Sequence, residues 1–242
     1  MIFRLTPNRL TLLRILLLPL ACVLLYGGPR MKLTAVGVGS LLGFTDYLDG
    51  WLARRTRPSR LGALLDPVAD KIFVAAVYLL LVHLRYFPYF PVALLLLREI
   101  LVGGLRGRGR RLEVWPLARI KTAFQMVGAG LVILAFVLFG SPAARSFGAF
   151  AAWLAAALTW ISAWPYLNLG LRGLSGKEAL SLGKEILPPI FLLVLFPLAG
   201  SLWWLPFAGL VLYFPLTLVN SLFSGLAEGP DSRGVVSSTE DR

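Results

Sequence analysis

Cysteine and histidine occur once each in the 242 residues, as Cys22 and His83. A single thiol excludes a disulfide within the chain, and its place in an apolar run marks Cys22 as a packing residue that says nothing about redox compartment. His83 stands near the end of an apolar segment and reads as an interfacial residue rather than a ligand. Charge is also scarce, at 15% of residues, while 57% are hydrophobic and the mean hydropathy is +0.76. Those values exclude an ordinary soluble globule and place the chain among polytopic membrane proteins. Acids are the scarcer sign, 12 against 24 Lys and Arg, for a net charge of +12. Such an excess points to nucleic acid or to an anionic membrane surface, and the hydrophobicity selects membrane lipids, so no nucleic-acid partner is expected. Arg4, Arg9 and Arg14 precede a long apolar run that superficially resembles a secretory signal. No small-residue cleavage site follows and further apolar segments do, so an uncleaved first helix is expected.

Asp46, Asp49, Asp66 and Asp70 are the only carboxylates among the first 98 residues. They sit in apolar segments, where an uncompensated carboxylate is very costly and an acid cluster is functional by default. On a helix Asp46 and Asp49 are i and i+3, with Gly50 and Ala53 continuing the face. Asp66 and Asp70 are i and i+4 on a second helix after a turn at Arg57-Pro58-Ser59. Two helices so joined bring four carboxylates toward one point. Oxygen ligands with no nearby Cys or His suit a hard cation, Mg²⁺ or Mn²⁺, over zinc or copper. The small Gly50 and Ala53 leave room for a phosphate-bearing ligand and Arg54 offers a planar donor fork, which outlines a phosphoryl-transfer site. The competing reading is a structural salt-bridge network between these acids and Arg54, Arg55, Arg57 and Arg60.

The stretch DYLDGWLARRTRPSRLGALLDPVAD resembles the signature D-x2-D-G-x2-A-R-x8-G-x3-D-x3-D of the CDP-alcohol phosphotransferase (phosphatidyltransferase) family, through Asp46, Asp49, Gly50, Ala53, Arg54, Gly62, Asp66 and Asp70. Seven residues rather than eight separate Arg54 from Gly62, so the turn is one residue short while the spacing within each half is intact. The opening PNRLTLLRILLLP, together with LREI, the basic loop after it and KTAFQM, is similar to the phosphatidylglycerophosphate synthase branch of that family. The resemblance implies an all-α fold, a homodimer, and transfer of the phosphatidyl group of CDP-diacylglycerol to sn-glycerol 3-phosphate with release of CMP. It further implies that Asp46, Asp49 and Asp66 hold divalent metal, and that Asp70 completes a second metal position and acts as general base. By the same resemblance Asn8, Thr11, Gly50, Ala53, Arg54 and Gly62 contact CDP-diacylglycerol.

Eight apolar spans are expected, near residues 12–27, 33–54, 62–84, 90–105, 117–139, 148–170, 186–200 and 203–223. Thr6 and Pro7 look like the cap and first residue of a short interfacial helix leading into span one. The predicted architecture is a polytopic membrane helix bundle: a six-span domain over residues 1–174, a two-span addition over 175–227 opening on a polar loop SGKEALSLGKE, and a polar, disordered tail over 228–242. Resemblance ends beyond Leu174, and the addition carries no catalytic signal of its own. With the N-terminus cytoplasmic, Arg4, Arg9, the Arg54–Arg60 run, Arg106–Arg111, Arg172, Lys177 and Lys184 fall on one side, against Arg30, Lys32, Arg85 and Arg145 on the other. That bias predicts both termini inside, in the cytoplasmic membrane.

Arg98 and Glu99 are adjacent charges in an apolar run. Neighbours on a helix point about 100° apart, so the two are not expected to neutralise each other, and at least one should face a polar cavity. Arg98, Arg106, Arg119 and Lys121 are the candidates to bind the acceptor's phosphate. Rival readings are another acceptor (phosphatidylglycerol, inositol phosphate or serine), an aspartate-rich prenyltransferase, and a divalent-cation transporter. A prenyltransferase would show a second, distant Asp-rich motif, which is absent here, and a transporter would not need Gly50, Ala53 and the Arg-rich turn at these offsets.

Overall fold

The structure, a computed structural model, describes residues 7–53, 60–106, 117–171 and 175–227. Thr6, the turn with Arg54, the basic loop with Arg108, Arg110 and Arg111, and the tail lie outside the described residues. So do the side chains of Asn8, Thr11, Asp46, Asp49, Asp66, Arg106, Arg119 and Lys121. Every described element is a helix: α1 (Pro7–Leu24), α2 (Pro29–Ala53), α3 (Arg60–His83), α4 (Tyr89–Arg106), α5 (Leu117–Phe139), α6 (Ser141–Leu171), α7 (Gly176–Leu195) and α8 (Trp204–Ala227), with a single 3₁₀ turn at Gly200–Leu202. The fold class is all-α, as the sequence implies.

The bundle is organised around α3. This helix packs against α1, α4, α5 and α8, while α1–α2–α5–α6–α4–α7–α8 follow one another in contact as an incomplete ring. A helix in that position must be apolar all round, and the second half of α3 is: Ala75, Leu79 and Leu81 are fully buried, and every residue from Ile72 to Leu81 is buried. The gap between α1 and α8 is bridged at one end, where the His83 ring stacks on Trp203 at 3.8 Å and lies 6.2 Å from Tyr26. His83 is therefore an aromatic packing residue at the helix end, in keeping with its expected place. Cys22 is half-buried against the main core.

Two local expectations are corrected. Residues 7–24 form one continuous helix, not an interfacial helix followed by a span, because Pro7 sits at the N-terminal position that lacks a partner anyway and the interior Pro19 does not end the helix. SGKEALSLGKE is not a loop. Ser175 accepts from the Glu178 amide while the Glu178 carboxylate accepts from the Ser175 amide at 2.8 Å, a reciprocal cap that starts α7 inside the polar stretch. The helices of residues 175–227 share the main core: Leu193, Phe196, Leu210 and Phe214 are buried in the same cluster as Leu79 and Leu95, with α8 on α3 and α7 on α4.

Among the described residues, Pro142–Asn168 is the one helical stretch both long and apolar enough to cross a membrane, and Leu13–Leu24, Phe124–Phe139 and Gly200–Leu216 are apolar but shorter. The outer surface is nonetheless strongly apolar, with Leu16, Leu41, Phe139, Phe150, Trp164, Leu187 and Leu198 all largely exposed.

Gly148 marks a close backbone approach, since a Cβ there would meet the carbonyl oxygen of Tyr86 and come within 3.3 Å of Val132. Gly148→Ala should force α6 away from the α3–α4 turn, costing about 1–3 kcal/mol and lowering the unfolding temperature in detergent. Gly128→Ala, where a Cβ meets nothing within 4 Å, should leave that temperature unchanged or raise it.

Candidate active site

Both halves of the acidic motif are helical. Asp46, Asp49, Gly50 and Ala53 occupy the final turns of α2, at register i, i+3, i+4 and i+7. Gly62, Asp66 and Asp70 follow one another at four-residue steps along the first half of α3. α1 packs against α2 and against α3, as does α5, so both are common neighbours of the two motif helices. No residue in the motif other than its carboxylates is a common metal ligand, and an all-oxygen donor set fits a hard divalent cation.

Asp70 is the motif acid whose side chain is described, and it is not alone. Arg14 of α1 donates from Nη1 to Asp70 Oδ1 at 3.0 Å. The Arg14 side chain is 2% exposed and that of Asp70 34%, so the guanidinium stands behind the carboxylate while Asp70 keeps an open side. A cation this deep needs a carboxylate partner. Lys71, the next residue, points elsewhere: its Nζ lies 5.9 Å from the Phe214 ring of α8, and a Cβ on Gly103 of α4 would come within 2.9 Å of it. The lack of a side chain at Gly103 makes room for that ammonium.

Arg98 and Glu99 are both buried, and they do pair, through Nη1 to Oε1 at 3.1 Å. The expectation from helix angles fails because the arginine side chain is long enough to turn back along the helix surface. The other Arg98 donors cross to α6, Nε to the Thr159 carbonyl and Nη2 to Ser162 Oγ, each at 3.1 Å. Gln125 of α5 joins the network by donating to Thr159 Oγ1 at 3.1 Å, and Tyr78 of α3 donates to the Gln125 carbonyl at 3.1 Å. Four helices are thus tied by one buried polar chain. Nε, Nη1 and Nη2 of Arg98 each serve this chain, and the guanidinium is buried within it. Arg106 ends α4, and Arg119 and Lys121 lie in the first turns of α5, which puts those three backbones at the same end of the bundle as the end of α2 and the start of α3.

The family model described as CDP-alcohol phosphatidyltransferase matches residues 4–161. A relative from Pseudomonas fluorescens, named CDP-diacylglycerol–glycerol-3-phosphate 3-phosphatidyltransferase, is 43% identical over 141 residues, covering 53% of this chain and 70% of its own. Relatives of the same name from Bacillus subtilis (31% over 183 residues) and Rickettsia typhi (33% over 171 residues) each match 67% of this chain and 93% and 94% of their own. With the two motif halves on consecutive helices and a family match over residues 4–161, the chain belongs to the CDP-alcohol phosphatidyltransferase family.

The sequence reading passed over Arg14 and Lys71. Arg14 had a usable signal, being the one charged residue between Arg9 and Arg30 in an otherwise apolar run. For the Arg98 network, Arg98→Ala should cost about 3–5 kcal/mol by leaving Glu99 without its ion pair, seen as a large drop in unfolding temperature. Thr159→Val, which removes only Oγ1, should cost about 1–3 kcal/mol.

Proposed function

We propose that this protein is an integral membrane enzyme that transfers the phosphatidyl group of CDP-diacylglycerol to sn-glycerol 3-phosphate, releasing CMP and forming phosphatidylglycerophosphate. One observation carries the reading: the acidic motif lies on two helices that both pack against α1, in a chain that matches over nine-tenths of the Bacillus subtilis and Rickettsia typhi relatives bearing that name. In this reaction the acceptor's hydroxyl oxygen forms a new ester bond to the phosphatidyl phosphorus. The bond from that phosphorus to the bridging oxygen breaks, and CMP departs with the electron pair. Asp70 takes the hydroxyl proton. Asp46, Asp49, Asp66 and Asp70 are the residues to hold divalent metal, Mg²⁺ or Mn²⁺ and in our reading two ions, which when bound neutralises charge on the diphosphate. Asn8, Thr11, Gly50, Ala53, Arg54 and Gly62 line the CDP-diacylglycerol side, where small residues admit the diphosphate and Arg54 supplies a donor fork.

The architecture we propose is a six-span catalytic core over residues 1–174 with a two-span addition over 175–227 and a polar tail, both termini on the cytoplasmic face and the active form a homodimer. The exposed apolar side chains around the bundle support burial in lipid, which a water-facing surface of this kind would not. The cytoplasmic side is where soluble acceptor is found. The test is direct: purified protein is incubated with CDP-diacylglycerol, Mg²⁺ and, separately, glycerol 3-phosphate, phosphatidylglycerol, inositol phosphate and serine. Phosphatidylglycerophosphate should form with glycerol 3-phosphate. Product with another acceptor alone would reassign the substrate, and no CMP release with any of them would refute the transferase.

Asp70→Asn should abolish turnover, since a base is worth roughly 10²–10⁴ in rate, while CDP binding survives on the remaining carboxylates. Asp49→Asn should weaken both, and equal loss of CDP binding in the two variants would contradict this division. The acceptor's phosphate is held, in our reading, by Arg106, Arg119 and Lys121 with Arg98. Alanine at a contacting position should raise the KM for glycerol 3-phosphate with little change for CDP-diacylglycerol, because the two substrates use different ligands. Four single variants with unchanged KM would place the phosphate pocket elsewhere.

A further inference from the structure

We propose that Arg14 is a positioning residue for Asp70, fixing which of its carboxylate oxygens faces the reaction. The inference rests on the transferase reading for its kinetic part and on geometry for the rest. Arg14 enters from α1, 56 positions away in sequence, and its Nη1 holds Asp70 Oδ1 at 3.0 Å. Its side chain is buried and that of Asp70 half-open, so the pair has a closed side and an accessible side. A carboxylate free to rotate presents either oxygen, at a range of angles. One whose Oδ1 is tied to a buried guanidinium is held in one orientation set by helix packing.

Three features support a role in orientation rather than in substrate binding. Arg14 is among the largest fully buried side chains of the protein, with no surface left for a ligand from either phase. Its helix contacts both α2 and α3, so the pair also sets how α1 sits against the motif. The residues around it along α1, such as Leu18 and Ala21, are buried in the core, which leaves the guanidinium little freedom to follow a moving carboxylate.

The experiment uses the full-length protein in detergent, with Arg14→Gln and Arg14→Lys. Arg14→Gln should lower kcat about ten- to hundredfold, as expected for a misplaced catalytic group. KM for CDP-diacylglycerol and for glycerol 3-phosphate should stay within about threefold of wild type, because no ligand contact is lost. Arg14→Lys, which still donates to Oδ1, should recover most of the rate. An unchanged kcat in Arg14→Gln, a rise in KM that accounts for the loss, or a lysine variant no better than glutamine would overturn the assignment. A second readout needs no turnover: unfolding temperatures of Arg14→Gln, Asp70→Asn and the double variant. Coupled residues give a double-variant shift clearly smaller than the sum of the two single shifts, whereas additive shifts show that the pair is not formed. Absence of CMP release by the wild type would refute the transferase, and the unfolding cycle would still decide whether Arg14 fixes Asp70.

Discussion

A carboxylate on the innermost helix of an apolar bundle must be compensated, and for Asp70 the compensation is Arg14 at 3.0 Å. Much else follows from that constraint. α3 is wrapped by α1, α4, α5 and α8 along its apolar length, so its acidic first half must meet its partners at one end of the bundle. Asp70 stands near the boundary between these two regimes: Ala69 beside it is buried, the run from Ile72 to Leu81 is sealed, and the motif acids lie on the other side. One helix thereby combines a packed core with an acidic first half.

The second organising element is the polar chain through Arg98. Isolated, either Arg98 or Glu99 would be prohibitive at this depth. Paired, and extended through Thr159, Ser162 and Gln125, they tie α4 to α6 and α5 while Tyr78 ties α5 to α3. Helices α4 and α5 are thus held in register with the helix that carries Asp70. Buried polar networks of this kind are costly when half satisfied and specify one arrangement when complete.

Much of this was legible in the sequence. All eight helices were found as apolar runs, and the motif halves fell on helices because carboxylates at i, i+3 and i, i+4 demand one face. What escaped has physical reasons. The start of α7 reads as a loop by composition, which hides a Ser175–Glu178 cap, a pattern readable only when spacing is weighed above polarity. Backbone angles alone argue against an Arg98–Glu99 pair, because they ignore the reach of a long side chain. Arg14 was counted with the N-terminal charges, although a lone cation in an apolar run calls for a partner as strongly as a lone acid does. Which partner it takes depends on how α1 crosses α3, a tertiary fact absent from any local pattern.

The central claim is that the carboxylates of α2 and α3 make this protein a metal-dependent phosphatidyltransferase. The measurement that tests it most directly is CMP release from CDP-diacylglycerol in the presence of glycerol 3-phosphate, after stripping with EDTA and again after adding back Mg²⁺ or Mn²⁺. Stripped protein should give no release, either cation should restore it, and neither should do so when glycerol 3-phosphate is omitted. Release that persists in EDTA, or none under any of these conditions, would contradict it.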